Sequence, residues 1–183
     1  LHEDTPPRWP TVRNDVFTHH YAKAYLQREQ PRVLYISYGE TDDYAHEGLY
    51  DEYIFAAHRT DRFISEIWSL LQSMDNYRDN TVLFLAVDHG RGEEPIETWM
   101  HHASQRSLQG YMSSLAQYEE GIVGSEAVWM AAMGPGIAEQ GLIQNGEVCL
   151  APVGIAATLL QLLGEDYREL NPGMAAPLTE FLQ

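Results

Sequence analysis

Thr81-Val82-Leu83-Phe84-Leu85-Ala86-Val87 is an unbroken apolar and β-branched run that stops at once at Asp88-His89-Gly90. A run of this length bounded by turn residues reads as a buried strand. Upstream, Val33-Leu34-Tyr35-Ile36-Ser37-Tyr38 is a second such run, ended by Gly39. Between them Leu49, Tyr53, Ala56, Ala57, Phe63, Ile64, Ile67, Leu70, Leu71 and Met74 share one stripe, which predicts a long amphipathic helix over 49–74 covering a sheet face. Strand, helix, strand is a βαβ unit, and such units pair their strands in parallel through a right-handed crossover. The expected fold class is therefore α/β, with a mostly parallel sheet flanked by helices.

Outward from this unit the pattern continues. Val16, Phe17, Tyr21, Ala24 and Tyr25 recur at helical spacing after Asp15, a fitting N-cap, and Pro31 lies beyond the end. Residues 1–14, rich in Pro and charge, read as an extended lead-in, and 76–80 as a turn. Arg91 to Ser125 shows no periodicity; a connection of that length, 91–125, is usually a functional loop, lid or insertion. Ala127 to Met133 is a third expected strand, closed by Gly134-Pro135-Gly136. Pro152 opens a short helix through Ile155, Leu159, Leu160 and Leu163 that Gly164 ends, and a last turn falls near 178–182. There is no internal repeat. One domain over 1–183 is the default for this length.

The balance of 11 Lys and Arg against 27 acidic residues gives a net charge of −16. That excludes a broad basic surface for a nucleic-acid backbone. No run approaches the ~18 apolar residues of a membrane span, and LHEDTPPRWP lacks the basic-then-apolar order of a signal peptide. The chain as given is expected to be soluble. Cys149 is the single cysteine, so neither an internal disulfide nor a thiolate cluster is available.

Ligand sites in open α/β sheets form outside the carboxyl ends of the strands. Asp42 and His46 follow the first run there, and Asp88 and His89 follow the second. On neighbouring strands ~4.8 Å apart, the two pairs would emerge side by side. A repeated carboxylate-imidazole pair is what a two-metal hydrolytic site needs. Oxygen and nitrogen donors without thiolate suit zinc first, with manganese the alternative. Against this, an Asp at a strand end is most often a helix N-cap, and a lone His in a turn a surface residue.

The run Thr41-Asp42-Asp43-Tyr44-Ala45-His46-Glu47-Gly48, the long helix, and Val87-Asp88-His89-Gly90-Arg91-Gly92 together resemble the second half of the alkaline phosphatase superfamily, which holds phosphatases, phosphodiesterases, phosphomutases and sulfatases. The likeness covers roughly residues 31 to 178. It implies a partial alkaline-phosphatase-like three-layer sandwich, and two divalent metal ions in the intact enzyme. Asp42 and His46 match the pair on one metal, and Asp88 and His89 the pair on the other. A further downstream His completes the first site; Trp99-Met100-His101-His102 offers two, of which His102 fits the spacing after Trp and His101 is the fallback. Asp43 has the wrong offset from His46 and reads as solvated or supporting.

Arg91 is suited to a substrate oxyanion, and equally to pairing with Glu93 or Glu94. Trp99, Tyr111 and Tyr118 are expected to wall a substrate pocket. His58 and Asp61 within the long helix read as packed or hydrogen-bonded residues, and His2, His19 and His20 carry no pattern. The superfamily nucleophile, a Thr or Ser at a helix start, has no counterpart, so no catalytic nucleophile is assigned.

The chain is thus expected to be the C-terminal part of a larger metal-dependent hydrolase of phosphate mono- or diesters, supplying metal ligands but alone binding metal weakly and nearly inactive. Its expected partner is a small-molecule phosphate or related ester. A periplasmic or secreted location follows only if the parent carries a signal peptide. The competing expectation is a non-catalytic metal-binding α/β scaffold or partner-binding domain, and a third is a plain α/β domain with coincidental Asp and His pairs.

Overall fold

Asp15–Glu29 forms the first helix, α1, and its inward stripe is Asp15, His19, Ala22 and Leu26. Two of these four are polar, which is tolerable only where hydrogen bonds replace water. Asp15 does not cap its own helix, since Asn14 holds that position. Its carboxylate instead accepts from the backbone N–H groups of Gly39 (2.9 Å) and Glu40 (3.1 Å). The His19 ring lies between Tyr38 Oη (3.1 Å from Nδ1) and Glu66 Oε2 (3.0 Å from Nε2), and stacks on Phe63 at 4.2 Å. Desolvation holds the His19 pKa below the ordinary histidine value, although Glu66 pulls the other way.

The computed structural model describes residues 8–9, 12–110, 112–143 and 150–183. Tyr111, Cys149, His2 and most of the expected lead-in over 1–14 lie outside the described residues. The chain divides into two compact units, 1–75 with 89–127, and 76–88 with 128–183.

In the first unit, α2 (Glu40–His46) and α3 (Tyr50–Ser73) follow α1, and α3 packs against both. The α3 stripe is the expected one: Ala56, Phe63, Ile67 and Leu71 are buried at spacings of one or two turns. Residues 91–125 are not a bare loop. They hold a 3-10 turn, Ile96–Met100, a short helix α4, Gln105–Gly110, a second 3-10 turn, Ser113–Leu115, and a bridge between Ser104 and Gly121. Ala103, Leu108, Leu115 and Ile122 make a small apolar cluster of their own. Gly92 is required here, because a Cβ would lie 2.3 Å from Thr98 Oγ1 and 2.4 Å from its carbonyl oxygen.

The second unit carries β1 (Leu83–Ala86) and β2 (Met130–Met133), joined antiparallel with Leu83 opposite Met133 and Ala86 opposite Met130. Phe84 meets Phe181 at 5.2 Å between ring centroids. A 3-10 turn at Pro152–Gly154 leads into α5 (Ile155–Leu162), and α6 (Tyr167–Leu170) follows. Thr158, fully buried, donates to Gly154 O and accepts from Leu178 N–H, both at 2.8 Å, which ties α5 to the closing segment.

The expected mostly parallel sheet and three-layer sandwich are not found. Among the described residues the one sheet has two strands, and they run antiparallel. The run 33–38 is extended but joins no ladder. Strand propensity makes a segment extended; only a hydrogen-bonding neighbour makes it a strand, and that neighbour is a non-local property. The runs 81–87 and 127–133 do pair, with each other, so the connection between them returns the chain antiparallel and no βαβ crossover is formed. Among the described residues no helix is long and apolar enough to cross a membrane.

The Glu66 cluster contributes to the acid behaviour. Lys23 donates to Glu66 at 2.9 Å, and this bond, then that to His19, lowers the Glu66 pKa to about 2. The folded value lies below the ordinary glutamate value, so the contribution is complete above that value and is lost as the pH falls toward 2. The melting temperature is predicted to fall over that window, and Glu66→Gln to flatten that part of the profile; an unchanged profile contradicts the assignment.

Candidate metal centre

Helix α2 has only seven residues, too few to stand alone in water. It is held from outside. Asp15 caps its first N–H groups, and Glu40, itself buried, accepts from Arg59 of α3 at 2.8 Å. Just past its end, Glu47 pairs with Arg8 at 2.6 Å, and Trp9 meets Tyr44 edge-on at 5.1 Å. Asp42 and His46 stand at i and i+4 on this fixed platform, and so on one face. His46 Nε2 is 3.3 Å from Asp42 Oδ1.

The other side comes from 89–102. Gly90 N–H bonds Ser125 O at 2.8 Å, Gly92 N–H bonds His101 O at 3.2 Å, and Glu93 N–H bonds Val123 O at 3.0 Å. These bonds bring residues 90–93 alongside 101 and 123–125. The rings of His89 and His102 stack at 3.5 Å, nearly parallel at 11°. His102 Nε2 lies 3.5 Å from Asp42 Oδ1, and His89 Nε2 lies 3.7 Å from it. His89 Nδ1 is 3.0 Å from Gly90 O. A carbonyl only accepts, so in the neutral ring that bond places the proton on Nδ1 and leaves the Nε2 lone pair on the Asp42 side. A ligating histidine is oriented by the same kind of bond.

One carboxylate oxygen is therefore the meeting point of three imidazoles and a guanidinium, because Arg91 also donates to Asp42 Oδ1. Ligand atoms of Asp42, His46 and His102 all lie within 4.8 Å of one another. Ligands 2.0–2.1 Å from a tetrahedral zinc stand ~3.3 Å apart. The His46 and His102 separations from Asp42, 3.3 and 3.5 Å, match that spacing, although Arg91 now holds the same carboxylate oxygen. Burial, and then the charge of His89, hold the His102 pKa below the ordinary histidine value. Burial also lowers His101, with His46 next, while burial and then the neighbouring Asp42 push Asp43 up to about 6.

The expected residues divide as follows. Asp42, His46, His89, Arg91 and His102 come together, whereas the His101 ring stands 6.0 Å from that of His46. Asp88 is exposed and belongs to the second unit. Arg91 is held by Asp42, where Glu93 or Glu94 was the alternative to a substrate, and its Nη1 reaches Met100 O at 3.5 Å. Trp99 packs edge-on against Tyr50 (5.4 Å) and Tyr53 (6.0 Å) of α3, and Tyr118 packs on the apolar cluster. His58 and Asp61, expected to be packed or hydrogen-bonded within the helix, are exposed on α3.

A cavity of about 440 Å3 opens beside His89 and His102, with Ser104, Ser125, Glu120 and Glu126 among its walls. Nothing local in the sequence marks those four. The sequence reads Asp15 only as the N-cap of α1 and gives His19 no role, so neither inward contact is found from it. No family model, no curated protein and no solved structure matches this chain.

Asp15→Ala would leave the Gly39 and Glu40 N–H groups without an acceptor at the start of α2. A loss of about 1–3 kcal/mol is predicted in urea denaturation, together with weaker zinc binding. Unaltered stability and zinc affinity would show that α2 does not depend on this contact.

Proposed function

We propose that this chain supplies the metal ligands Asp42, His46 and His102, with His89 beside them, to a metal-dependent hydrolase of phosphate mono- or diesters related to the alkaline phosphatase superfamily. The observation that carries the proposal is the convergence of two imidazole Nε2 atoms on Asp42 Oδ1 at 3.3 and 3.5 Å. The order of Asp42, His46, Asp88, His89 and His102 along the chain supports the same reading.

A zinc-type ion, when bound, would act as a Lewis acid toward a phosphoryl oxygen. Asp42 contributes the negative charge that a dication requires. His46 and His102 contribute neutral nitrogen, and the Gly90 carbonyl orients His89. Arg91 is the group suited to phosphate oxygens, because its planar fork matches two of them. Its hold on Asp42 means that a cation arriving at that carboxylate would compete with it and turn the guanidinium toward an anionic substrate. The chain contributes no nucleophile in this reading.

The competing reading is a metal-binding domain without catalysis, and the Arg91–Asp42 pair is what favours it, since a permanent guanidinium partner satisfies Asp42 without substrate.

Zinc titration followed by thermal melting tests the metal site. Binding to the folded chain should raise the midpoint, by the equivalent of about 2.7 kcal/mol at a hundredfold excess over Kd. Asp42→Asn and His102→Ala should each remove that rise, and no rise in the unaltered chain would end the proposal. Arg91→Ala separates the two readings. If Arg91 only neutralises Asp42, its removal changes zinc affinity alone; if it serves substrate, it also weakens vanadate binding to the zinc-loaded chain. With p-nitrophenyl phosphate or its diester, turnover should stay far below the ~1–10³ s⁻¹ of ordinary enzymes; full activity would place the nucleophile within this chain.

A further inference from the structure

Helix α1 carries apolar side chains on its outer face as well as its inner one. Its inward stripe joins Asp15 and His19 to Ala22 and Leu26, while Val16, Tyr21 and Tyr25 are 37%, 58% and 44% exposed. Beside it runs the extended segment 33–38, whose burial alternates residue by residue: Leu34, Ile36 and Tyr38 are half-buried, and Val33 (58%) and Tyr35 (86%) are exposed. Such alternation is the signature of a strand with one face packed. Yet the backbone N–H and C=O groups of 33–37 have no hydrogen-bond partner among the described residues. An extended edge of this kind is a template for another strand.

Between α1 and residues 34–37 lies a groove of about 370 Å3, with Tyr21, Tyr25 and Tyr35 on its walls. Its charged lining residues are Arg13 and Arg28, although acidic residues outnumber basic ones 27 to 11 in the whole chain. Arg28 also pairs with its neighbour Glu29. Three independent features thus coincide: an unpaired extended backbone, an aromatic floor and a cationic rim. Strand addition uses the same combination, in which main-chain bonds supply affinity and pockets for alternate side chains supply selectivity.

We propose that this groove takes an extended segment of a partner polypeptide. The segment adds as a strand along residues 33–37, seats alternate apolar side chains on Tyr21 and Tyr25, and turns a carboxylate toward Arg13 and Arg28. A second copy of this chain fits less well. Its own Val33-Leu34-Tyr35-Ile36-Ser37 carries no carboxylate and would bring Arg13 and Arg28 of each copy together. The proposal stands apart from the metal centre and does not depend on it.

The test uses the whole chain and a fluorescein-labelled octapeptide, Glu-Val-Thr-Val-Thr-Val-Thr-Val, followed by anisotropy and by amide hydrogen exchange. Saturable binding is expected, with exchange at 33–37 slowed at least about tenfold. A peptide N-methylated at alternate residues should not bind, and the Arg13→Glu, Arg28→Glu double variant should bind the first peptide about tenfold more weakly. Both arginine positions are on the surface, and far-UV circular dichroism verifies that the variant folds. No binding, equal binding of the N-methylated peptide, or unchanged exchange at 33–37 would overturn the proposal. So would a concentration-dependent dimer of the chain alone that protects 33–37, since the occupant would then be a second copy.

Discussion

The buried carboxylate of Asp15 is the contact on which the platform of the Asp42 cluster rests. A seven-residue helix gains too little from its own hydrogen bonds to persist in water, so α2 depends on outside contacts, of which Asp15 satisfies the leading N–H groups and Arg59 holds Glu40. Asp15 is itself buried, and that desolvation raises its pKa above the ordinary aspartate value, against the pull of the two backbone bonds. The arrangement is stable only while both N–H groups remain in place. Helix, cap and ligand positions therefore stand or fall together.

On that platform the electrostatics concentrate at one atom. Asp42 Oδ1 faces His46, His89, His102 and Arg91, which makes it both the natural anchor of a cation and the present anchor of a guanidinium. Removing one partner of so crowded a group leaves the rest with uncompensated charge or lone pairs. Burial is the main reason that the His102 pKa lies below the ordinary histidine value, and the His89 ring stacked on it adds Coulomb energy to the cost of protonation.

Local periodicity made α3 and α5 legible, because their apolar residues repeat at the helical period whatever they pack against. It also made Asp42 and His46 legible as a pair, since i and i+4 share a face. Legibility ended where partners are distant in sequence. Asp15 and His19 turn inward because Gly39, Glu40, Tyr38 and Glu66 lie 24, 25, 19 and 47 residues away. No local pattern in α1 reveals that, so Tyr21 and Tyr25 read as core and proved exposed. Arg91 meets Asp42 across 49 residues. The same limit misled the fold class: 33–38 and 81–87 both have strand composition, but composition does not name a ladder partner, and 83–86 found Met130–Met133 instead.

Zinc K-edge X-ray absorption on the zinc-loaded chain tests the central claim most directly, because it reads the ligands without requiring turnover. The account predicts one zinc per chain at saturating zinc, with nitrogen and oxygen ligands at ~2.0–2.1 Å and the outer-shell scattering of two imidazole rings, which His46→Ala and His102→Ala each reduce to one. An oxygen-only shell without imidazole scattering, or no stoichiometric zinc at all, would contradict it.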